Sequence, residues 1–222
     1  MGTQPLNVNL REIMSRTPVV TDAGLIPDPK GFSVPSPELK NLGGNLNVGI
    51  TTSGGIIGPR NMPSLVPEQF HAPITAIDKY HNMPSQKRTL SVYIWQGWVT
   101  RESTLGTKGP HIDDWDKDYP NIQRPVYNQY IVSDCLPTRF YIQPFYLPES
   151  QEEIRMMAND DQREGENFKR GLSRIFESQA RDSNIMTVPP CHLAHFSAYT
   201  VHEAELPEKP TFRTMMLVRF EP

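Results

Sequence analysis

Three observations predict a mainly β protein, built as a sandwich or barrel of short strands. The 222 residues include 22 prolines and 14 glycines, and proline at about twice its usual share interrupts helices and bounds strands. Several segments are rich in β-branched and aromatic residues, and residues 88–99 (RTLSVYIWQGWV) are the longest of them. Only one long stretch, residues 149–183, is dense in helix formers and charge. We therefore expect one β-rich domain over residues 1–222, with an N-terminal arm and a helical insertion.

The first 87 residues have the composition of an extended arm with short strands. Proline and glycine recur through them in the segments IPDPKGF, VPSPELK and SGGIIGP. A helical turn or two is expected near residues 10–15, and a short helix over residues 67–81 that Pro73 would cut. We expect this arm to lie over a core formed by residues 88–222.

The strands of that core are expected in five segments. In residues 88–99, Leu90, Val92 and Ile94 alternate along one face, which is the period of two that a half-buried strand requires. The turns SDCLP and ELPEKP contain the residues that separate neighbouring strands. The other four segments share the β-rich composition: residues 126–132, 138–145, 195–201 and 213–220.

Residues 149–183 are expected to form the helical insertion, packed on the edge of the sheet. Their apolar side chains recur at helical spacing, which predicts one buried stripe. The charged side chains are expected to form the solvated face. The stripe consists of Phe168, Leu172, Ile175 and Phe176.

Composition also restricts the partners. The net charge of −3 offers no basic excess for a phosphate backbone, which argues against nucleic acid. No run of about eighteen apolar residues exists, so no membrane span is expected. Two cysteines, Cys135 and Cys191, are too few for a disulfide framework, and no N-terminal apolar segment indicates secretion. We expect a cytoplasmic protein with a small-molecule substrate, whose oligomeric state the sequence does not indicate.

Two short motifs carry the residues that could hold a metal ion. His111 and Asp113 in GPHIDDWD lie two positions apart, so their side chains share one face of an extended segment. His202 in TVHEAEL lies at the end of a predicted strand near the C-terminus. Two histidines and one carboxylate on one side of an ion leave open coordination positions on the other, as non-haem iron(II) oxygenases require.

An arginine follows the second motif and strengthens this hypothesis. Arg213 begins the last predicted strand, and a guanidinium there could bind a carboxylate through two hydrogen bonds. Arg219 lies an even number of residues further along. In an unbroken strand it would share the face of Arg213, and it is the second candidate.

This ordered set resembles the Fe(II)/2-oxoglutarate-dependent dioxygenases. The segments LPTRFYIQPF and PPCHLAHFSAYTVHEA are also similar to sheet segments that flank the metal ligands in small members of that superfamily. The resemblance covers roughly residues 88–222 and identifies no subfamily. It implies a double-stranded β-helix (jelly roll), an Fe(II) ion, 2-oxoglutarate and O2 as cosubstrates, and succinate and carbon dioxide as coproducts.

The resemblance also assigns roles to individual residues. His111, Asp113 and His202 become the iron ligands. Arg213 becomes the partner of the far carboxylate of 2-oxoglutarate, and Arg219 remains its rival, because some branches place that arginine farther along.

Four further residues are weaker candidates for the pocket. Thr138, Tyr127 and Asn128 are candidates for contacts with the cosubstrate or the pocket wall. Trp115 is the tryptophan expected to touch substrate, because it lies beside the predicted ligands.

The predicted substrate is a small molecule such as an amino acid or a biosynthetic intermediate, which would be hydroxylated or otherwise oxidised. Two alternatives from other classes remain at this point. One is a cupin-like metal enzyme with the same three ligands but without 2-oxoglutarate, possibly a zinc hydrolase. The other is a non-catalytic jelly-roll protein that binds or scaffolds.

Overall fold

The computed structural model describes residues 8–53, 62–81, 87–102, 109–113, 119–122, 128–158 and 164–221. Within these ranges β-strands dominate, and all of their pairings are antiparallel. The elements in chain order are β1 (Val8–Asn9), α1 (Leu10–Met14), β2 (Thr21–Leu25), α2 (Pro29–Phe32), α3 (Pro37–Asn41), β3 (Asn45–Ser53), α4 (His71–His81), β4 (Lys87–Val99), β5 (Asn121–Ile122), β6 (Asn128–Ser133), β7 (Thr138–Tyr141), α5 (Gln151–Met156), α6 (Glu164–Gln179), β8 (Ile185–Thr187), β9 (His192–Ser197), β10 (His202–Ala204) and β11 (Thr211–Glu221). Single 3-10 turns lie at Glu68–Phe70 and Asp182–Asn184.

The larger sheet has six strands in the order β2-β9-β6-β11-β4-β3. Its centre is β11, which pairs with β4 along its whole length, from Thr211 opposite Val99 to Glu221 opposite Thr89. On its other side β11 pairs with β6, where Arg219 stands opposite Gln129. Because side chains alternate along a strand, β11 turns its odd-numbered residues to one face and its even-numbered residues to the other.

The smaller sheet has three strands in the order β10-β7-β8 and lies against the odd-numbered face of β11. A single bridge between His111 and His202 extends it by one position. Apolar side chains from both sheets form one cluster between them, namely Ile131, Phe140, Val188, Ala194, Phe196, Met215 and Leu217. Two antiparallel sheets packed face to face make a jelly roll, so the mainly β fold predicted from the sequence is confirmed.

The N-terminal segment was expected to lie over a core formed by residues 88–222, but it contributes both edges of the larger sheet and part of the core itself. β2 pairs with β9 and β3 pairs with β4, while α2, α3 and α4 cover the even-numbered face of β11. The helix expected over residues 67–81 begins at His71, so Pro73 stands in its first turn, where the missing N–H removes no helical hydrogen bond. The cluster under these helices includes Phe32, Leu39, Phe70, Ile74, Ile77, Val92, Ile94, Met216 and Val218.

The segment expected to be helical contains α5 and α6. The predicted stripe of Phe168, Leu172, Ile175 and Phe176 is buried, but it packs on α1 and the outer face of the smaller sheet and not on the edge of a sheet as expected. The two helices approach closely at Gly171, where an added Cβ would lie 1.9 Å from the carbonyl oxygen of Ile154. Within the ranges described above, no helix combines the length and the apolar character needed to cross a membrane.

Candidate metal site between the two sheets

Backbone hydrogen bonds bring the two predicted metal-binding motifs together. The N–H of His111 donates to the carbonyl of His202, the reverse bond is also formed, and both N–O distances are 2.9 Å. Two residues further on, the N–H of Asp113 donates to the carbonyl of Ala198 at 3.2 Å. The segment with His111 and Asp113 is therefore held beside β10 as a short extra strand.

Both imidazole rings are oriented by their own backbone neighbours. Nδ1 of His111 lies 2.8 Å from the carbonyl oxygen of Gly109, and Nδ1 of His202 lies 2.9 Å from that of Thr200. A carbonyl oxygen only accepts, so in each ring Nδ1 carries the hydrogen and Nε2 presents its lone pair. The ring centroids are 4.5 Å apart. Each ring is thus prepared to bind a metal through Nε2, with Nδ1–H held as in metal-ligating histidines.

The carboxylate of Asp113 completes a group of three ligand atoms. The atoms offered by His111, Asp113 and His202 all lie within 4.8 Å of one another. Oδ2 of Asp113 is 3.6 Å from Nε2 of His202. Two imidazole nitrogens and one carboxylate oxygen in this arrangement are the donor set typical of non-haem Fe(II), although Zn²⁺ also accepts such ligands.

Electrostatics favour the neutral form of His111. Burial, together with the neighbouring His202, lowers the pKa of His111 to about 4, although the Gly109 carbonyl and Asp113 oppose the shift. A proton would compete with a metal for the same lone pair. His111 is therefore available as a ligand at neutral pH.

The three groups open into a cavity of about 170 Å³ between the sheets. Thr138 lies on its wall. Arg219 provides a cationic group at the cavity. The rest of the wall is mostly apolar and includes Tyr93, Trp95, Ile131, Met215 and Leu217. Such a wall suits an organic substrate with apolar surface.

Arg213 is almost completely buried, with 1% of its surface exposed. Its Nε donates to the hydroxyl of Ser133 at 2.8 Å. Its Nη2 is buried and has no hydrogen-bond partner among the residues that the structure describes. Desolvation lowers the pKa of Arg213 from its ordinary value. A buried guanidinium with an unused donor is costly unless an anion binds to it, so Arg213 fits a carboxylate ligand.

Arg219 shares the inward face with Arg213, as the unbroken β11 requires, but its neighbours differ. Its Nη2 lies 3.5 Å from Oδ1 of Asp113, and its guanidinium carbon lies 5.0 Å from the ring centre of Tyr93. Gln129, opposite Arg219 on β6, contacts the same carboxylate. Sequence reasoning missed Gln129, although an amide two positions before the apolar Ile131 on the same face of a predicted strand was a signal that could have found it.

Of the remaining predicted pocket residues, the structure describes only Asn128. Asn128 begins β6 with an exposed side chain and is absent from the cavity wall as described. Tyr127 and Trp115 lie outside the described residues.

Comparisons with known proteins give distant structural likenesses only. No family model matches the chain, and no curated protein sequence matches it. The chain is similar in structure to AviO1 from Streptomyces viridochromogenes Tue57, at 10% identity over 100% of this chain and 97% of that one, with a TM-score of 0.42. It is also similar to SnoK, a non-heme alpha ketoglutarate dependent carbocyclase from nogalamycin biosynthesis, at 13% identity over 100% and 87%, with a TM-score of 0.46. At these values the likenesses do not define a reaction for this chain.

Proposed function

We propose that this chain is an Fe(II)- and 2-oxoglutarate-dependent oxygenase that oxidises a small molecule. One observation carries the proposal: two imidazole nitrogens and a carboxylate meet in an interior that also holds a buried guanidinium, whose Nη2 has no hydrogen-bond partner in the part of the chain that the structure describes. The first three groups suit an iron(II) ion, and the guanidinium suits the far carboxylate of a dicarboxylate cosubstrate.

His111, Asp113 and His202 would hold the iron. An iron(II) centre with open coordination positions supplies the joint reaction of 2-oxoglutarate with O2, which yields succinate, carbon dioxide and an oxidised substrate. The chain's own contribution is to hold both rings in the tautomer that presents Nε2 toward the metal position, through hydrogen bonds from Nδ1–H to the carbonyls of Gly109 and Thr200.

Arg213 would bind the far carboxylate of 2-oxoglutarate, and Ser133 would hold its guanidinium in place by accepting from Nε. The interior space supports this assignment, because Ile131 and Thr138 line the metal-side cavity and also a smaller pocket that Ser133 lines. Ser133 lies two positions after Ile131 in β6, and Arg213 lies two positions before Met215 in β11. Ile131 and Met215 both line the cavity, and each shares a face of its strand with its neighbour. Arg219 is the weaker candidate, since its guanidinium already contacts Asp113.

The apolar wall would orient the substrate and exclude water from the reacting centre. Tyr93, Trp95, Met215 and Leu217 offer aromatic and aliphatic surface, so we propose a substrate with a substantial apolar part. A cytoplasmic location is part of the proposal, and Cys135 and Cys191, both free thiols, accord with it.

Anaerobic titration of the protein with Fe(II) and 2-oxoglutarate tests the proposal. Chelation of iron by 2-oxoglutarate gives a weak visible charge-transfer band, which we expect for the wild type. Asp113→Ala should abolish the band, and Arg213→Ala should shift its appearance to at least about tenfold higher 2-oxoglutarate. Arg174→Ala is the matched control, because Arg174 lies on the exposed side of α6 and donates to the carbonyl of Met157.

The same titration separates the alternatives. Metal binding without any effect of 2-oxoglutarate would favour a cupin-like metal enzyme and contradict the proposal. Absence of metal binding in the wild type, together with unchanged folding of His111→Ala, would favour a non-catalytic jelly-roll protein.

A further inference from the structure

We infer that Arg219 and Gln129 form a clamp that positions the carboxylate of Asp113 as a metal ligand through one oxygen. This inference rests on the proposed metal site but concerns residues that do not bind the metal themselves. It also gives Arg219 a role other than binding 2-oxoglutarate.

Each oxygen of Asp113 has its own contact on the larger sheet. Oδ1 lies 3.5 Å from Nη2 of Arg219. The amide of Gln129 satisfies both of its neighbours in one orientation, in which its NH2 donates to Oδ2 of Asp113 and its oxygen accepts from Nε of Arg219 at 3.3 Å. The three side chains therefore form a closed triangle of polar contacts.

The strand register makes this triangle rigid. Arg219 and Gln129 are directly opposite each other on β11 and β6, and both point inward. Gln129 is fully buried, so its amide has no water to bind in place of the carboxylate and the guanidinium. The ring of Tyr93 on β4 supports the guanidinium, 5.0 Å from its centre. Two neighbouring strands thus hold one carboxylate of the segment paired with β10, and a third strand supports the guanidinium.

The two oxygens of Asp113 are not equivalent in this arrangement. Oδ2 is the oxygen that lies 3.6 Å from Nε2 of His202, so it faces the position that a shared metal would occupy. Oδ1 faces Arg219 instead. A metal bound through Oδ2 would leave Oδ1 paired with the guanidinium, and the carboxylate would take up one coordination position only. The remaining positions would stay free for a bidentate cosubstrate and O2.

The clamp also balances charge around a mostly buried group. The side chain of Asp113 is 15% exposed, and a carboxylate with so little water requires a partner of opposite charge or hydrogen-bond donors. Arg219 supplies the charge and Gln129 supplies a donor before any metal binds. The ligand is therefore preorganised, which is the role of outer-shell partners in metal sites.

Binding of Co(II) to the purified full-length chain tests the clamp, with affinity measured by titration calorimetry and ligand geometry by the visible Co(II) spectrum. We expect Arg219→Met and Gln129→Met each to weaken Co(II) binding by about 10- to 100-fold and to alter the spectrum at saturating metal. Arg219→Lys, which keeps the charge but not both contacts, should fall between wild type and Arg219→Met. The fold-loss of Co(II) affinity in the double variant should be smaller than the product of the two single-variant losses, because the two residues act as one unit.

Arg139→Met is the matched control, because Arg139 also contacts carboxylates, those of Glu203 and Asp182. This variant should leave Co(II) binding unchanged. Wild-type affinity in both Gln129→Met and Arg219→Lys would overturn the clamp, and these two variants decide the matter if Arg219→Met does not fold. Weaker 2-oxoglutarate binding at saturating metal in Arg219→Met, with Co(II) affinity intact, would overturn it as well. Failure of the wild type to bind Co(II) would instead contradict the proposed function.

Discussion

His111 and His202 are joined by two reciprocal backbone hydrogen bonds, so the positions of the two imidazoles are fixed by strand pairing and not by their side chains alone. His202 in turn stands opposite Phe140 in β7, whose buried ring packs between the sheets. The candidate metal site is thus an extension of the smaller sheet. A site built on paired strands can hold ligand atoms within the tolerance that metal coordination needs.

Ser133 is expected to matter for 2-oxoglutarate and not for the metal. Its hydroxyl accepts from Nε of Arg213 and donates to the carbonyl of Cys135. Ser133→Ala would leave a second buried donor of Arg213 without a partner and let the guanidinium turn. We expect the dissociation constant of 2-oxoglutarate to rise about tenfold, measured by the charge-transfer titration. Co(II) affinity should remain unchanged, as should both constants in the control Ser178→Ala. An unaltered 2-oxoglutarate affinity would remove Ser133 from the site.

Gly171 is expected to be essential for the packing of α6 on α5. A methyl group there would meet the carbonyl oxygen of Ile154 at 1.9 Å, so the helices would have to separate. We expect Gly171→Ala to lower the free energy of unfolding by about 1–3 kcal/mol, which outweighs the better helix propensity of alanine. Urea denaturation measures the change. Gly49→Ala in β3, where nothing lies within 4 Å, should change it by less than about 0.5 kcal/mol. A Gly171→Ala protein as stable as the wild type would contradict the close approach.

The thiol of Cys135 is expected to react slowly in the folded protein. Desolvation and the neighbouring Asp134 raise its pKa to about 12, and the thiol donates to the carbonyl of Phe212. Since the thiolate is the nucleophile, its fraction at pH 8 falls to roughly one in ten thousand. We expect alkylation by iodoacetamide, followed at the Cys135 peptide by mass spectrometry, to be at least about 100-fold slower than in the urea-unfolded chain. Rates within tenfold of each other would show that the thiol is not shielded.

Much of the fold followed from local composition. Apolar and polar side chains alternate in residues 88–99, as a strand requires, and Phe168 and its helical neighbours form a buried stripe. Both patterns were predictable because each depends on the periodicity of a single strand or helix. The place of β3 at the sheet edge was not predictable in the same way. β3 pairs with β4 although other elements lie between the two strands along the chain. This pairing depends on tertiary packing, and the weak local β-propensity of β3 does not reveal it.

The candidate site also combines features that local sequence predicts with features that depend on tertiary packing. The spacing of His111 and Asp113 placed both side chains on one side of the chain, and β11 brought Arg213 and Arg219 to one face, as alternation predicts. Which arginine contacts Asp113 depends on the register between β11 and β6, and Gln129 enters only through that register. Local sequence does not encode these cross-strand relations, so the sequence left the two arginines as rivals.

A crystal structure of the chain with Mn(II) and 2-oxoglutarate, grown without oxygen, is the most direct test of the central claim. The anomalous map should show one manganese ion within coordination distance of Nε2 of His111, Nε2 of His202 and Oδ2 of Asp113. The far carboxylate of 2-oxoglutarate should lie against Arg213. A metal peak elsewhere, or an imidazole of His202 turned away from the ion, would contradict the account.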